Sequence, residues 1–189
     1  ATSFGVVEYN MSRHEVVQSG VWNINVGGIE ILSNHLVMAV DGEGLMCVPL
    51  GQNFAVLNSL TYLVDLQPVD EIKSINSTHL LIRSRNTSVD GVIVAQPDFE
   101  NEKCLEMRRV LTTSKCHPFI KANGNLFMVA NNRIWTLNGS NNPQELCVLP
   151  DLVQNECIST VAGKNRIWSL SGDGLSCYGY GADGQLHTF

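Results

Sequence analysis

The chain has 189 residues, 44% of them hydrophobic and only 16% charged, which is enough for a substantial core and too little charge for a long disordered or coiled-coil region. The net charge is −6, from 12 basic and 18 acidic residues. That balance argues against direct nucleic-acid binding, which needs a basic stripe to neutralise phosphates.

The opening residues, ATSFGVVEYN, lack a basic stretch followed by an apolar one, so no secretory leader is expected in them. They also lack an initiator methionine, and the chain is expected to be a piece of something longer. No apolar run approaches the roughly 20 residues of a membrane span, and none is expected. Residues 1–24 read as an N-terminal strand or lead-in.

From there on, strand signals are short and frequent. HLVMAV (35–40), GLMCVPL (44–50), HLLIRS (79–84), GVIVAQ (91–96), NLFMVA (125–130), RIWTLN (133–138), NRIWSLS (165–171) and GLSCYGY (174–180) are rich in Val, Ile, Leu or aromatics, with Gly, Asn, Asp or Pro at their borders. They come in pairs joined by DGE, RNTSVD, NN and GD. Asp-Gly and Asn-rich links make hairpins because their positive φ matches the strand twist. The segment FENEKCLEMRRVL (99–111) reads equally as a helix with Cys104, Met107 and Leu111 on one face, or as a strand with Leu105, Met107 and Leu111 alternating.

The hairpins recur. Their first strands start at His35, His79, Asn125 and Asn165, and their second strands at Gly44, Gly91, Arg133 and Gly174. Ahead of each hairpin stands Ile31, Ile75, Lys121 or Val161; after each comes a polar stretch ending near Leu57, Leu105, Leu146 or Leu186. A period of about 40–47 residues with several strands per unit predicts an all-β chain of β-propeller-type repeats, about four blades in a whole or incomplete ring. The units fall at about 25–66, 67–113, 114–150 and 151–189. A β-sandwich also has short strands with regular turns, but does not need one motif order four times. The pair NRIWTLNGS (132–140) and NRIWSLSGD (165–173) looks like a repeat, yet the first falls on a second strand and the second on a first strand.

The last unit, ISTVAGKNRIWSLSGDGLSCYGYGADGQL, resembles a unit of the regulator-of-chromosome-condensation propeller family at Gly163, Asp173, Gly174, Tyr178, Gly179, Gly184, Gln185 and Leu186. The preceding unit departs from that pattern, with Pro-Gln-Glu-Leu in place of Gly-Gln-Leu. HLVMAVDGEGLMCVPL is similar instead to degenerate WD-repeat blades of large signalling proteins, without a Trp-Asp or Gly-His dipeptide. These resemblances imply a non-catalytic protein-interaction scaffold in a larger signalling or regulatory protein. For the last unit they imply a regulatory propeller acting on a small GTPase. The expected partner is another protein, a small GTPase or a second copy of the chain, in the cytoplasm.

A third reading is an extracellular glycan- or receptor-binding propeller. Four N-x-S/T sequons, at Asn10, Asn76, Asn86 and Asn138, and an even count of 6 cysteines favour it. Those cysteines, Cys47, Cys104, Cys116, Cys147, Cys157 and Cys177, form no C-x-x-C pair and are too sparse for a disulfide scaffold; buried free thiols are the simpler expectation.

No catalytic, metal or cofactor site is expected. GYGADG (179–184) spells a dinucleotide fingerprint, but only QLHTF follows it, too little for the helix that would hold a pyrophosphate. His14, His35, His79, His117 and His187 show no metal spacing, and His35 and His79 occupy equivalent structural positions. Asp41 and Glu43 belong to a turn, not a calcium loop. Cys116 and His117 are sequence neighbours and would point to opposite faces of a strand. Lys103, Arg108, Arg109 and Lys115 are diluted by Glu100, Glu102 and Glu106 into a solvated face. Trp22, Trp135 and Trp168 read as core.

Overall fold

The computed structural model describes residues 1–53, 60–64, 69–84, 91–113, 116, 119–122, 125–131, 133–137, 141–148, 157–163, 166–171, 174–180 and 186–188. All its named elements are strands. A hairpin of β1 (Gly5–Asn10) and β2 (Glu15–Val21) comes first. Four antiparallel sheets of four strands follow, each with its strands adjacent in chain order. They comprise β3 (Val26–Leu32), β4 (His35–Val40), β5 (Gly44–Pro49) and β6 (Thr61–Val64); then β7 (Val69–Ser74), β8 (Leu80–Ser84), β9 (Gly91–Asp98) and β10 (Lys103–Leu111). The third sheet holds β11 (Ile120–Ala122), β12 (Asn125–Ala130), β13 (Arg133–Leu137) and β14 (Gln144–Val148), and the fourth β15 (Cys157–Gly163), β16 (Arg166–Ser171), β17 (Gly174–Tyr180) and β18 (Leu186–Thr188).

The hairpins sit where the sequence put them, and each is flanked by two further strands. The markers ahead of the hairpins lie in β3, in β11, in β15 or, for Ile75, directly after β7; Leu105, Leu146 and Leu186 lie in the fourth strands. Leu57 lies outside the described residues. The ambiguous 99–111 segment resolves as β10, paired along β9. Leu105 and Met107 stay 58% and 44% exposed, so no buried helical face was there to win.

The chain divides into two compact units, Ala1–Thr112 and Thr113–Phe189. In the first, the second strand of each sheet explains the core. Leu36–Val40 of β4 and Leu80–Ser84 of β8 are buried without interruption. An unbroken apolar run, rather than alternation, is what a strand covered on both faces requires. β4 shows this directly. Val37 and Ala39 join one cluster with Val69, Ile72, Leu80, Ile82, Ile93 and Ala95 of the second sheet. Leu36, Met38 and Val40 join another with Val6 and Trp22 from the hairpin region. Each of the Val, Leu, Ile and Met side chains among them, once removed from water, contributes about 1.5–3 kcal/mol.

Polar contacts register the first two sheets against each other. The Ser74 amide donates to Glu30 Oε2 at 3.1 Å, and Ser33 Oγ donates to the Ser77 carbonyl at 2.9 Å. His35 stacks on Phe99 with centroids 4.1 Å apart and rings 3° from parallel.

The second unit repeats the pattern. Leu126–Ala130 of β12 are all buried, and Thr136 Oγ1 donates to the Leu126 carbonyl at 3.2 Å. Its β12–β13 turn carries positive φ on Asn131 (52°), where an Asn side chain tolerates the left-handed region.

Candidate functional site

The residues singled out by chemistry are engaged locally. His35 Nδ1 lies 2.9 Å from the Ser33 carbonyl. His79 Nδ1 lies 2.8 Å from Thr78 Oγ1 and 3.3 Å from Asn76 Oδ1. His14 sits in the β1–β2 turn at φ 54°. His187 lies in β18, and His117 falls outside the described residues, as does most of GYGADG after Tyr180. Cys116 forms an isolated bridge to Ala130. Asp41 Oδ2 accepts from Asn25 Nδ2 at 3.4 Å, within a turn. Of the last-unit resemblance, Asp173, Gly184 and Gln185 lie outside the described residues; Gly163, Gly174, Tyr178, Gly179 and Leu186 lie on strands. Among the described residues, no group of three His, Cys, Asp or Glu is placed to hold a metal ion.

The basic residues Lys103, Arg108 and Arg109 lie on β10, where Arg108 Nε pairs with Glu106 at 3.4 Å. Lys115 lies outside the described residues. Trp22 is buried, with no hydrogen-bond partner for its Nε1. Trp135 is half-buried and donates to the Ala130 carbonyl at 3.2 Å. Trp168 lies on β16.

Cys47, Cys104, Cys116 and Cys177 are free thiols. Burial pushes Cys47 up to about 12, with the carboxylate of Glu102 and the Cys104 sulfur adding to it. Burial alone raises Cys104 to about 11. Both stay protonated near neutrality and are poor nucleophiles, since the thiolate is the reactive form.

Among the described residues, a feature with the shape of a binding site lies elsewhere, between the β1–β2 hairpin and the first four-stranded sheet. It is an open groove of about 610 Å³ walled by Val6, Val7 and Val17 of the hairpin and by Ile29, Ile31, Leu36 and Leu50 of the sheet region. Two elements create it. The β1–β2 ladder shifts register after Glu8, so that Tyr9 faces Val16 and Val17 is left as the extra residue of a bulge. A bulge re-aims side chains, and Val17 lines the groove at 53% exposure. Opposite, Ile31 projects from β3 at 60% exposure. The polar element is Glu8, whose Oε2 accepts from Gln18 Nε2 at 2.6 Å. The arrangement suits an apolar side chain flanked by a positive charge.

Sequence reasoning passed over this place by reading residues 1–24 as a lead-in. The signal was present. GVVEYN and EVVQSGV are two strand-like runs about a turn, and Gly5 precedes Gly44 by about one period.

No protein-family model and no curated protein matches the sequence. Solved structures do. PorZ, a surface component of the type-IX secretion system of Porphyromonas gingivalis, matches the whole chain at 16% identity and a TM-score of 0.72. The extracellular domain of a one component system of B. thetaiotaomicron gives 13% and 0.69, again over the whole chain. The Swd1 β-propeller domain of Myceliophteria thermophila gives 12% and 0.70. The chain spans 24%, 28% and 66% of those proteins' lengths, respectively. The likeness establishes the fold: this is an all-β chain of β-propeller type, with four four-stranded blades.

Proposed function

We propose that the chain is a non-catalytic protein-interaction propeller segment of a larger signalling or regulatory protein in the cytoplasm. In this reading the groove beside Glu8 and Gln18 takes an apolar anchor from a protein partner with basic flanking residues. The observation that carries it is the pair Val17 and Ile31, two large apolar side chains more than half exposed across one cleft. Exposed apolar side chains gathered in a concave site mark binding, whereas scattered ones do not. The net charge of −6 favours a basic partner.

The test compares proximity labelling by the full-length protein with that of its Val17→Asp and Ile31→Asp variants. Each variant is expected to lose one set of labelled proteins by about tenfold or more, as for truncation of an interface anchor. Identical sets would remove the groove from the reading.

A second reading, an extracellular binding propeller, has an observation of its own. Asn10 and Asn76, both in sequons, lie at hairpin turns with their Oδ1 atoms bonded to local amides. That leaves each Nδ2, the atom a glycan would occupy, unbonded. Two of the similar structures, PorZ and the one component system domain, carry surface or extracellular in their own descriptions. Secretory expression is then expected to yield protein that loses mass under a glycosidase, at both Asn10 and Asn76. An unmodified product with six free thiols would end this reading.

A further inference from the structure

Cys47 and Cys104 stand in different sheets of the first unit, and the fold brings them to one place. Cys47, on β5, is 2% exposed and lies with Leu45 on the face of the first four-stranded sheet that packs against Ile72, Ile82 and Ile93 of the second. Cys104, near the start of β10, packs against the same cluster and keeps part of its surface in solvent. The end of the interface where they meet is marked by His35, which stacks on Phe99. Cys47 is the diagonal neighbour of His35, since the pairings run His35↔Pro49 and Val37↔Cys47. Cys104 pairs with Pro97, close in the chain to Phe99. The strand beside Cys47, β6, comes within 8 Å of β10 between Cα atoms. That is closer than the roughly 10 Å of ordinary sheet-on-sheet packing. The Cys104 sulfur is also near enough to add to the upward push on the Cys47 thiol.

We propose that Cys47 and Cys104 are a redox modification site, joining under oxidising conditions in a disulfide that clasps the first four-stranded sheet to the second. The oxidant is a low-molecular-weight disulfide of the glutathione type. The thiolate of Cys104, the accessible partner, attacks one sulfur of that disulfide and expels the other as a thiolate. The Cys47 thiolate then attacks the Cys104 sulfur of the mixed disulfide, and the second small thiolate leaves. The S–S bond of the oxidant is thus exchanged for the Cys47–Cys104 bond. The two released sulfurs take the two electrons and carry off the two thiol protons. Burial makes the reaction slow, because little thiolate is present. It also makes the bond durable, because a thiol of high pKa is a poor leaving group. The pair stays as thiols in a reducing compartment and closes in an oxidising one, so the inference does not depend on the proposed function.

The experiment incubates the reduced full chain with oxidised glutathione at mildly alkaline pH, blocks the remaining thiols with iodoacetamide under denaturant, and maps the peptides without reduction. A linked Cys47–Cys104 peptide pair is expected as the main product. The oxidised chain is expected to unfold about 5 °C or more above the same chain reduced, as for a bond that closes a long loop without strain. Cys104→Ser is expected to lose both the linked pair and the gain, and to melt like the reduced parent. Should that variant misfold, the oxidised and reduced parent decide alone, since they share one sequence. Cys47 recovered as a free thiol, whether Cys104 is free or carries glutathione, overturns the proposal. So does linkage of either residue to another cysteine. A Cys47–Cys104 bond that fails to raise the melting temperature overturns it too, because the sulfurs would then meet only by distorting the interface.

Discussion

Gly91→Ala is expected to destabilise the first unit by upwards of about 3 kcal/mol, the size of effect seen when strain and overlap combine. Gly91 opens β9 at φ 135°, where side chains are strained, and is buried. A Cβ there would also overlap the carbonyl oxygen of Leu111 on the neighbouring β10, and backbone cannot step aside without opening that ladder. Gly42 is the control. It has φ 81° in the β4–β5 turn, yet a methyl group there would meet nothing within 4 Å. Gly42→Ala therefore carries the conformational cost alone, about 1 kcal/mol. Denaturant titration of the two variants separates strain from overlap, and equal losses would refute the close approach of β9 and β10 at Gly91.

The second large effect belongs to Glu71 and Arg83. They face each other across β7 and β8, with Arg83 Nη2 3.4 Å from Glu71 Oε2 and side chains only 14% and 10% exposed. Each also makes a further interaction. Glu71→Ala takes the carboxylate away from a buried guanidinium that cannot discard its proton, and is expected to cost about 3–5 kcal/mol. Glu71→Leu/Arg83→Met removes both charges and is expected to recover most of that loss, because the desolvation cost disappears with the pair. Denaturation midpoints of the parent, single and double variants make the comparison. A double variant as unstable as the single one would mean that the cost of the single one does not come from the unbalanced charge.

The two sites also illustrate what kind of information each level holds. The glycine at position 91 was legible as a strand start because a short apolar run follows it and a polar loop precedes it. Its indispensability was not, since the carbonyl it must accommodate comes from Leu111, on a strand the sequence left undecided between helix and sheet. Arg83 sits inside the apolar run HLLIRS, and nothing in that run names Glu71 as its partner; antiparallel register alone sets the two side by side.

The first strands of the blades were hard to see for a related reason. VGGIEIL and VDEIKS carry glycines and charges, because Glu30 and Glu71 find polar partners in the folded unit. The strands β4, β8 and β12 were easy, because a strand packed on both faces must be apolar throughout.

What the sequence determined by itself is the all-β class, the hairpins, their period and hence the propeller-type repeat. These depend on local chemistry: turn residues that accept positive φ, and runs of side chains that must leave water wherever the strand packs. What only the tertiary structure decided is the candidate site. The groove exists because a bulge after Glu8 turns Val17 toward Ile31. It is set by cross-strand register and by sheet-on-sheet packing, and a one-residue slip of β2 would send Val17 to the other face.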